Sequence, residues 1–127
     1  TTIIVLLFNS RIYSLPKRQY SPMSEVGKKT KSSPAGSFDN YVNPLLFALG
    51  SEATFIARTT DTDQKHMVET FKAAQAYKGT SFVEVFQNCV IFNNKTFDSV
   101  TGRDVRNDQV MFLEEGKPLV FGDGGTK

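Results

Sequence analysis

Two oxygen-bearing side chains, Asn9 and Ser10, directly follow an apolar run and precede Arg11, Ile12 and Tyr13. At the tip of a strand, these side chains and the backbone carbonyls after them would offer hard oxygen donors. Mg²⁺ prefers such donors and completes its octahedron with water and phosphate oxygens. An Asn-Ser pair after a strand also suits a plain turn. The spacing alone therefore leaves two interpretations open, a magnesium site and a turn.

Positive charge is concentrated in the stretch that follows these residues. The chain of 127 residues has a net charge of +2. Residues 10–34 hold six basic residues and one acidic residue, a net +5, whereas the remainder holds nine basic and twelve acidic residues, a net −3. A lysine-rich loop is commonly solvated surface, but it also suits an anionic ligand. Aromatic residues are not interleaved with the basic ones in a stacking arrangement, so we expect no nucleic-acid partner.

The lone Cys89 and the lone His66 limit the metal and redox chemistry of the chain. They cannot form an internal disulfide or supply the four ligands of a zinc site or an iron–sulfur cluster, so we expect no cluster ligated by this chain. The longest apolar run, Ile3 to Phe8, is too short to span a bilayer, which predicts no membrane partner and a cytoplasmic setting. We expect His66 to be a hydrogen-bonded helix residue and Cys89 to be a small buried one.

The apolar segments that would position these residues predict one α/β domain with a parallel sheet. Residues 2–8 are apolar and β-branched without alternation, which is typical of a central strand buried on both faces. Residues 53–58 and 80–86 have strand character and flank a helical pattern. Residues 53–86 are therefore predicted to form a βαβ unit with a right-handed crossover.

The helix of this unit has recognisable ends and one apolar face. We expect Asp61 or Thr62 to cap its start and the helix to run to about Lys78, with Gly79 as its stop. Its apolar stripe, which should pack on the sheet, consists of Met67, Phe71, Ala74 and Tyr77.

Irregular segments make up much of the rest of the chain. Residues 9–40 are rich in Ser, Pro, Gly and Lys and predict a long loop, which is unusual in a compact domain unless it is functional or disordered. Asn43 and Pro44 predict the start of a short helix that Gly50 closes. Residues 107–127 are predicted to form a tail.

In this order, the segments resemble the β subunit of 2-oxoacid:ferredoxin oxidoreductases, which carries a thiamine-diphosphate-binding domain. Within the loop, the resemblance rests on Phe8-Asn9-Ser10-Arg11-Ile12-Tyr13, Lys17-Arg18-Gln19-Tyr20-Ser21-Pro22, Ser24-Glu25-Val26-Gly27-Lys28 and Thr30-Lys31-Ser32-Ser33-Pro34. Beyond the loop it rests on Asn43-Pro44, Ala57-Arg58-Thr59, Asp61-Thr62-Asp63-Gln64-Lys65-His66, Glu84-Val85-Phe86-Gln87-Asn88-Cys89 and Gly116-Lys117-Pro118. It implies the C-terminal part of that domain, incomplete at its N-terminus, because the family's Gly-Asp-Gly motif and cluster cysteines would precede Thr1.

The resemblance implies a site for Mg²⁺ and thiamine diphosphate at the start of the long loop. In the family, the second residue of an Asn-Asn pair gives a side-chain oxygen to Mg²⁺, and the residue two further on gives its carbonyl. Carried over, these ligands are Ser10 and Ile12, with Asn9 adjacent. The loop from Tyr13 to Pro22, including Gln19, would wrap the cofactor. No catalytic residue is assigned, because the family's activating glutamate lies in the partner α subunit.

The chain departs from the family pattern at three loop positions. Ser10 replaces the usual asparagine, and its hydroxyl has a shorter reach toward Mg²⁺. Pro16 stands where threonine is common, and Arg18 where glycine is common, so that Arg18 either adds a phosphate contact or blocks one. A Gly-Asp-Gly sequence at residues 122–124 is interpreted as tail, because no strand follows it.

The resemblance implies oxidative decarboxylation of a 2-oxoacid to acyl-CoA in the complete enzyme. Coenzyme A would take the acyl group, and electrons would pass through iron–sulfur clusters to ferredoxin. This chain alone would be inactive, because an α subunit is required. The alternative is a non-catalytic domain of the same fold whose basic loop docks a partner or a polyanion.

Overall fold

Three parallel strands form the sheet in the part of the chain that the structure describes. A computed structural model describes residues 2–13, 15, 19–114 and 116–120. The strands are β1 (Ile3–Asn9), β2 (Phe55–Thr60) and β3 (Thr80–Phe86), in the spatial order β1-β3-β2. Their carboxyl ends lie level, with Asn9 and Thr60 both in register with Phe86. The predicted α/β class with a parallel sheet is confirmed.

The strand β1 lies at an edge of this sheet, so the prediction that it is central is wrong for the described residues. β1 pairs with β3 alone, and its apolar side chains are exposed, with Phe8 at 54% and Ile3 at 51%. An apolar run without alternation indicates a strand whose two faces are both buried in the complete fold. It does not indicate which strands pair with it on either side. The central strand is β3, where Val83 and Val85 are almost fully buried.

A short helix precedes β2, and the turn that ends this helix shifts the first residue of β2. Helix α1 (Pro44–Gly50) begins as predicted, because Asn43 Oδ1 accepts the backbone N–H groups of Leu45 and Leu46. At its end, the backbone N–H of Ala53 donates to the carbonyl of Ala48 at 3.0 Å. Ala53 is predicted to begin the strand but belongs to this turn, so β2 begins at Phe55, two residues later than predicted.

Helix α2 (Gln64–Ala76) is capped by Asp63, so both predicted capping residues are wrong. Asp63 Oδ1 accepts the backbone N–H of His66 at 3.1 Å. The Asp61 carboxylate instead accepts the backbone N–H of Asn88 at 2.9 Å, and the Thr62 hydroxyl bonds to that of Thr60. The helix ends at Ala76, two residues before the predicted end.

The hydrophobic core lies between α2 and the sheet. Ala74 of α2 and Val83 and Val85 of β3 form its buried centre. The predicted apolar stripe packs as expected, since Met67 and Phe71 lie against this centre and Tyr77 contacts the ring of Phe55. The side chains packed around the buried centre are Phe55, Ala57, Met67 and Phe71.

The long loop after β1 is folded back on itself by backbone hydrogen bonds. Tyr13 and Gln19 exchange N–H···O bonds of 2.9 and 3.2 Å, and Thr30 and Ser33 exchange a second such pair. Two short helical turns follow the sheet, α3 (Asp98–Thr101) and α4 (Arg106–Gln109), and α4 overlaps the start of the predicted tail at residue 107. Pro16, Lys17, Arg18 and the Gly-Asp-Gly sequence of the tail lie outside the described residues. Among the helices that are described, none has the length and apolar character needed to cross a membrane.

Candidate functional site

The first turn after β1 is built by the Asn9 side chain. Asn9 is 5% exposed, and its Oδ1 accepts the backbone N–H of Arg11 at 3.0 Å, which forms an Asx turn. Arg11 adopts a left-handed backbone with φ of 52°. This conformation is uncommon for a residue other than glycine and indicates a local constraint. The turn reverses the chain directly at the carboxyl edge of the sheet.

The turn brings together the oxygens of the two predicted magnesium ligands. Ser10 Oγ lies 3.4 Å from the carbonyl oxygen of Ile12, to which it donates a long hydrogen bond. Neighbouring ligands of an octahedral Mg²⁺ site lie about 3 Å apart, because each bond to the metal is about 2.1 Å long. The two oxygens therefore fit two adjacent positions of such a site after a small movement.

These two oxygens can form only part of a metal site. In the described part of the chain, no three His, Cys, Asp or Glu side chains are grouped so that they could hold a metal ion. A hydroxyl and a carbonyl are both neutral donors, which suits Mg²⁺ when its remaining ligands are water and phosphate oxygens. The donor set thus fits a Mg²⁺ ion that bridges to a diphosphate.

Side chains from two distant segments hold the backbone of this turn. Asn93 is buried, and its Nδ2 donates to the carbonyl of Ser10 at 2.9 Å. Ser24, also buried, donates its hydroxyl to the carbonyl of Arg11 at 2.6 Å. Asn93 Oδ1 accepts in turn from the ammonium group of Lys28. The conformation of residues 9–12 is therefore fixed from several sides.

A buried carboxylate supports the same turn from the central strand. Glu84 is 1% exposed, and its Oε1 accepts from Asn9 Nδ2 at 2.7 Å. Its Oε2 accepts from the Arg58 guanidinium at 2.8 Å. A buried charge requires such pairing, because removal from water is costly. Arg58, Glu84 and Asn9 thus form one hydrogen-bonded line across all three strands.

Arginine side chains and aromatic rings cover the edge beside this line. The guanidinium carbons of Arg58 and Arg11 lie 4.7 and 5.6 Å from the centre of the Phe86 ring. Phe86 stacks on Phe97 with the ring centres 4.3 Å apart. Cation–π contacts of this kind stabilise a guanidinium that remains partly in contact with water. Each guanidinium is also ion-paired, Arg58 with Glu84 and Arg11 with Glu25, so carboxylates balance the charge of both arginines at this edge.

Two cavities lie at this edge. The smaller one, about 90 Å³, is lined by residues that include Asn9, Arg58 and Glu84. It is smaller than the about 300 Å³ that a small organic ligand usually requires. The larger one, about 700 Å³, lies at the carboxyl end of β2 and is lined by residues that include Thr59 and His66. Only the larger cavity has the volume of an organic ligand site.

The remaining predicted cofactor residues, Tyr13 and Gln19, are paired through their backbones. Both are exposed, so their side chains stand free of the core. The structure thus places Asn9 at the end of β1, Ser10, Ile12 and Tyr13 directly after it, and Gln19 beside Tyr13. It places the Ser10 and Ile12 oxygens together and commits both atoms of the Asn9 amide to contacts within the protein. Their roles toward a cofactor stay predictions.

His66 lies in α2, and Cys89 lies in the turn after β3 that also carries Asn93. His66 Nδ1 shares a hydrogen bond of 2.9 Å with the Thr59 hydroxyl, which confirms the expected hydrogen-bonded helix residue. Cys89 is half-buried in a turn where its carbonyl accepts from Asn93, so it is less buried than expected. It follows β3 by three residues and therefore leaves the packed part of the sheet.

Asp63, the N-cap of α2, places a negative charge at the border of the larger cavity. The pKa of Asp63 is lowered, first because its carboxylate accepts the backbone N–H of His66, and further because Arg106 donates to it. The first effect outweighs the burial that raises the pKa. This side of the cavity therefore holds a carboxylate that stays ionised to low pH.

The sequence interpretation missed Glu84, Arg58, Asn93 and Ser24 as parts of this site. Glu84 alone had a readable signal, since a carboxylate within the apolar run of residues 82–86 must find a buried partner. The roles of Asn93 and Ser24 depend on chain segments that meet only in three dimensions.

The fold and this edge define a class of protein: parallel α/β domains with ligand sites at the carboxyl ends of their strands. The family model of the thiamine pyrophosphate enzymes' C-terminal TPP-binding domain matches residues 1–85. The chain therefore belongs to the thiamine pyrophosphate enzymes, which confirms the family expected from the loop.

Within this family, the chain is similar to subunits of 2-oxoacid oxidoreductases. The chain is 46% identical over 123 residues to the 2-oxoglutarate oxidoreductase subunit KorB of Mycobacterium tuberculosis, covering 97% of this chain and 33% of that protein. It is 38% identical over 92 residues to the β subunit of 2-oxoacid:ferredoxin oxidoreductase 1 of Aeropyrum pernix, covering 72% of this chain and 29% of that protein. The chain thus spans about a third of the length of these relatives.

A solved structure agrees with this family. The chain resembles a 2-oxoglutarate:ferredoxin oxidoreductase from Magnetococcus marinus, solved with 2-oxoglutarate, coenzyme A and succinyl-CoA bound. The TM-score is 0.75 at 30% identity, and the match covers 91% of this chain and 38% of that one. The fold of this chain is therefore similar to part of that chain.

Proposed function

We propose that this chain is the part of a 2-oxoacid:ferredoxin oxidoreductase β subunit that holds Mg²⁺ and the diphosphate of thiamine diphosphate. The observation that carries the proposal is the 3.4 Å separation of Ser10 Oγ and the Ile12 carbonyl oxygen in a turn at the carboxyl edge of the sheet. The TPP-binding family and the similarity to β subunits support the same assignment.

In this proposal, each predicted site residue has a defined task. Ser10 and Ile12 give two oxygen ligands to Mg²⁺, and Tyr13 and Gln19, joined by their backbone bridge, belong to the loop that wraps the cofactor. Thiamine diphosphate, when bound, supplies the chemistry that decarboxylates a 2-oxoacid. The chain itself binds and orients, since no general base is assigned to it.

The whole enzyme would need further chains and substrates. We propose an α subunit as partner, a 2-oxoacid and coenzyme A as substrates, and ferredoxin as electron acceptor, with iron–sulfur clusters elsewhere in the complex. Names of similar proteins support 2-oxoglutarate as the first substrate to examine. The cytoplasmic setting stays a prediction from the single cysteine and the short apolar run of the sequence.

The proposal is tested by calorimetric titration of the full-length β subunit, assembled with its α subunit, with thiamine diphosphate in the presence of Mg²⁺. We expect saturable binding that requires Mg²⁺ and that Ser10→Ala weakens about tenfold, equivalent to about 1.4 kcal/mol. The matched control is Ser32→Ala, because the Ser32 hydroxyl shares a hydrogen bond with that of Thr30 in the exposed part of the loop. Absence of binding, or equal binding by Ser10→Ala, would overturn the proposal.

A non-catalytic role remains the second candidate, because Lys29 and Lys31 are exposed on the loop. These side chains would suit an acidic partner or a polyanion. The complete complex distinguishes the two functions. Reduction of a viologen dye that depends on a 2-oxoacid and coenzyme A excludes the non-catalytic role, whereas polyphosphate binding without dye reduction supports it.

A further inference from the structure

The Asn9 side chain is one support of the turn that carries the two predicted metal ligands. Asn9 directs its Nδ2 into the sheet, where it meets Glu84, and its Oδ1 back toward the loop, where it captures the N–H of Arg11. Without that capture, the chain would lose the contact that closes the turn around Ser10. The position of the Ser10 hydroxyl relative to the Ile12 carbonyl therefore depends in part on the orientation of this amide, together with the contacts that Asn93 and Ser24 make to the turn.

Glu84 fixes that orientation. An amide can rotate by half a turn and exchange its oxygen and nitrogen, but only one of the two arrangements offers a donor to a carboxylate. Because the Glu84 carboxylate only accepts hydrogen bonds, it requires Nδ2 on its side and so directs Oδ1 to Arg11. Arg58 holds the carboxylate itself, at 2.8 Å from Oε2.

We infer that Glu84 and Asn9 are positioning residues of the magnesium site: through the Asn9 amide, the Glu84 carboxylate sets the backbone that presents Ser10 Oγ and the Ile12 carbonyl to the metal. This inference rests on the proposed function, because it assigns a role toward the same Mg²⁺. Side chains that orient metal ligands from behind typically contribute about 10–100-fold to metal affinity.

The donor and acceptor pattern makes the inference testable by substitutions of nearly constant shape. Asn9→Asp keeps an acceptor for the Arg11 N–H but sets a second carboxylate against Glu84 at 2.7 Å, where two carboxylates cannot both ionise. In Glu84→Gln, the new amide NH₂ group replaces one of the two acceptor oxygens. It must therefore face another donor, either Asn9 Nδ2 or the Arg58 guanidinium. The double substitution N9D/E84Q exchanges donor and acceptor, so that both hydrogen bonds can form again with the same net charge.

The experiment measures Mn²⁺ binding by electron paramagnetic resonance in the assembled full-length complex with thiamine diphosphate. Loss of the free-ion signal gives the dissociation constant, and the line shape of the bound ion reports its ligands. We expect Asn9→Asp to weaken Mn²⁺ binding about 10–100-fold and N9D/E84Q to restore most of the affinity and the wild-type line shape.

A matched control separates positioning from general stability. Ser81 is fully buried at the opposite end of β3, where its hydroxyl donates to the carbonyl of Ala74 at 3.0 Å. Ser81→Ala should lower the thermal midpoint of the complex without changing the Mn²⁺ dissociation constant. If affinity instead follows the thermal midpoint across all variants, including Ser81→Ala, the side chains are merely structural and the inference is overturned.

The remaining outcomes each decide one of the two claims. Wild-type affinity in Asn9→Asp, or no recovery in N9D/E84Q, overturns the positioning role while the proposed function stands. No Mn²⁺ binding by the wild-type complex overturns the proposed function, and the inference with it. If Asn9→Asp does not assemble, Asn9→Ala decides, since alanine offers neither the acceptor for Arg11 nor the donor for Glu84. Affinity should then fall, and wild-type affinity in Asn9→Ala overturns the positioning role.

Discussion

The Ser10 hydroxyl oxygen lies 3.4 Å from the carbonyl oxygen of Ile12, on a turn that Asn9 closes. Two neutral oxygens at this separation match neighbouring positions around a hard divalent cation. They follow β1 at the edge where the three parallel strands end level, and the guanidinium groups of Arg11 and Arg58 lie against the Phe86 ring at the same edge. This relationship is the basis of the proposed Mg²⁺ site.

Removal of Arg58 should destabilise the protein strongly. Arg58→Ala leaves the Glu84 carboxylate, which is 1% exposed, with Asn9 as its remaining partner in the structure. Loss of one member of a buried ion pair costs about 3–5 kcal/mol, and we expect the lower end because Arg58 is partly exposed. The urea midpoint of the full-length complex measures the change. A midpoint as high as that of Arg103→Ala, a substitution at an exposed arginine, would contradict this expectation.

Substitution at the cap of α2 should give a pH-dependent change in stability. The pKa of Asp63 lies below its ordinary value of 3.8, mainly because of the His66 N–H and then because of Arg106. A carboxyl with a lowered folded pKa contributes stability above its unfolded pKa, and the contribution is lost as pH falls through the folded pKa. Asp63→Asn should therefore be less stable at pH 7 and approach the wild type below about pH 4.

The thermal midpoint across this pH range checks the cap prediction. Asp63→Ala should cost about 1 kcal/mol at neutral pH, because it removes the cap as well as the charge. A stability difference between wild type and Asp63→Asn that stays constant with pH would contradict the assigned role of the charge.

Two glycines of the long loop should differ in their tolerance of alanine. Both have left-handed backbones, with φ of +80° at Gly27 and +97° at Gly36. A Cβ at Gly36 would lie 2.9 Å from the carbonyl oxygen of Gly27, whereas a Cβ at Gly27 meets nothing within 4 Å. Each substitution costs about 1–2 kcal/mol for the backbone, and Gly36→Ala adds the clash. Trypsin should therefore cut at the loop lysines faster in Gly36→Ala than in Gly27→Ala, and equal rates would contradict the loop geometry.

The elements that depend on local pattern were predictable, and those that depend on neighbours were not. The stripe of Met67, Phe71, Ala74 and Tyr77 and the cap at Asn43 follow from spacing and residue type, and the structure confirms them. The position of β1 does not follow, because an apolar run contains no information about which strands lie beside it.

The candidate site divides in the same way. Ser10 and Ile12 came from a resemblance in the loop, but their supports belong to other segments. Asn93 and Ser24 are distant in sequence from the residues of the turn that they contact. The local sequences Asn93-Asn94 and Ser24-Glu25 contain no pattern that predicts these contacts. Similarly, Asp63 rather than Asp61 caps α2 because Asp61 bonds to Asn88 after β3.

The central claim is that Ser10 and Ile12 ligate the metal, and anomalous scattering from Mn²⁺ tests it most directly. Crystals of the complete complex, grown with thiamine diphosphate and Mn²⁺, should show an anomalous peak about 2.1 Å from both Ser10 Oγ and the Ile12 carbonyl oxygen. A Mn²⁺ peak at the cofactor that is out of bonding distance of these two oxygens would contradict the claim.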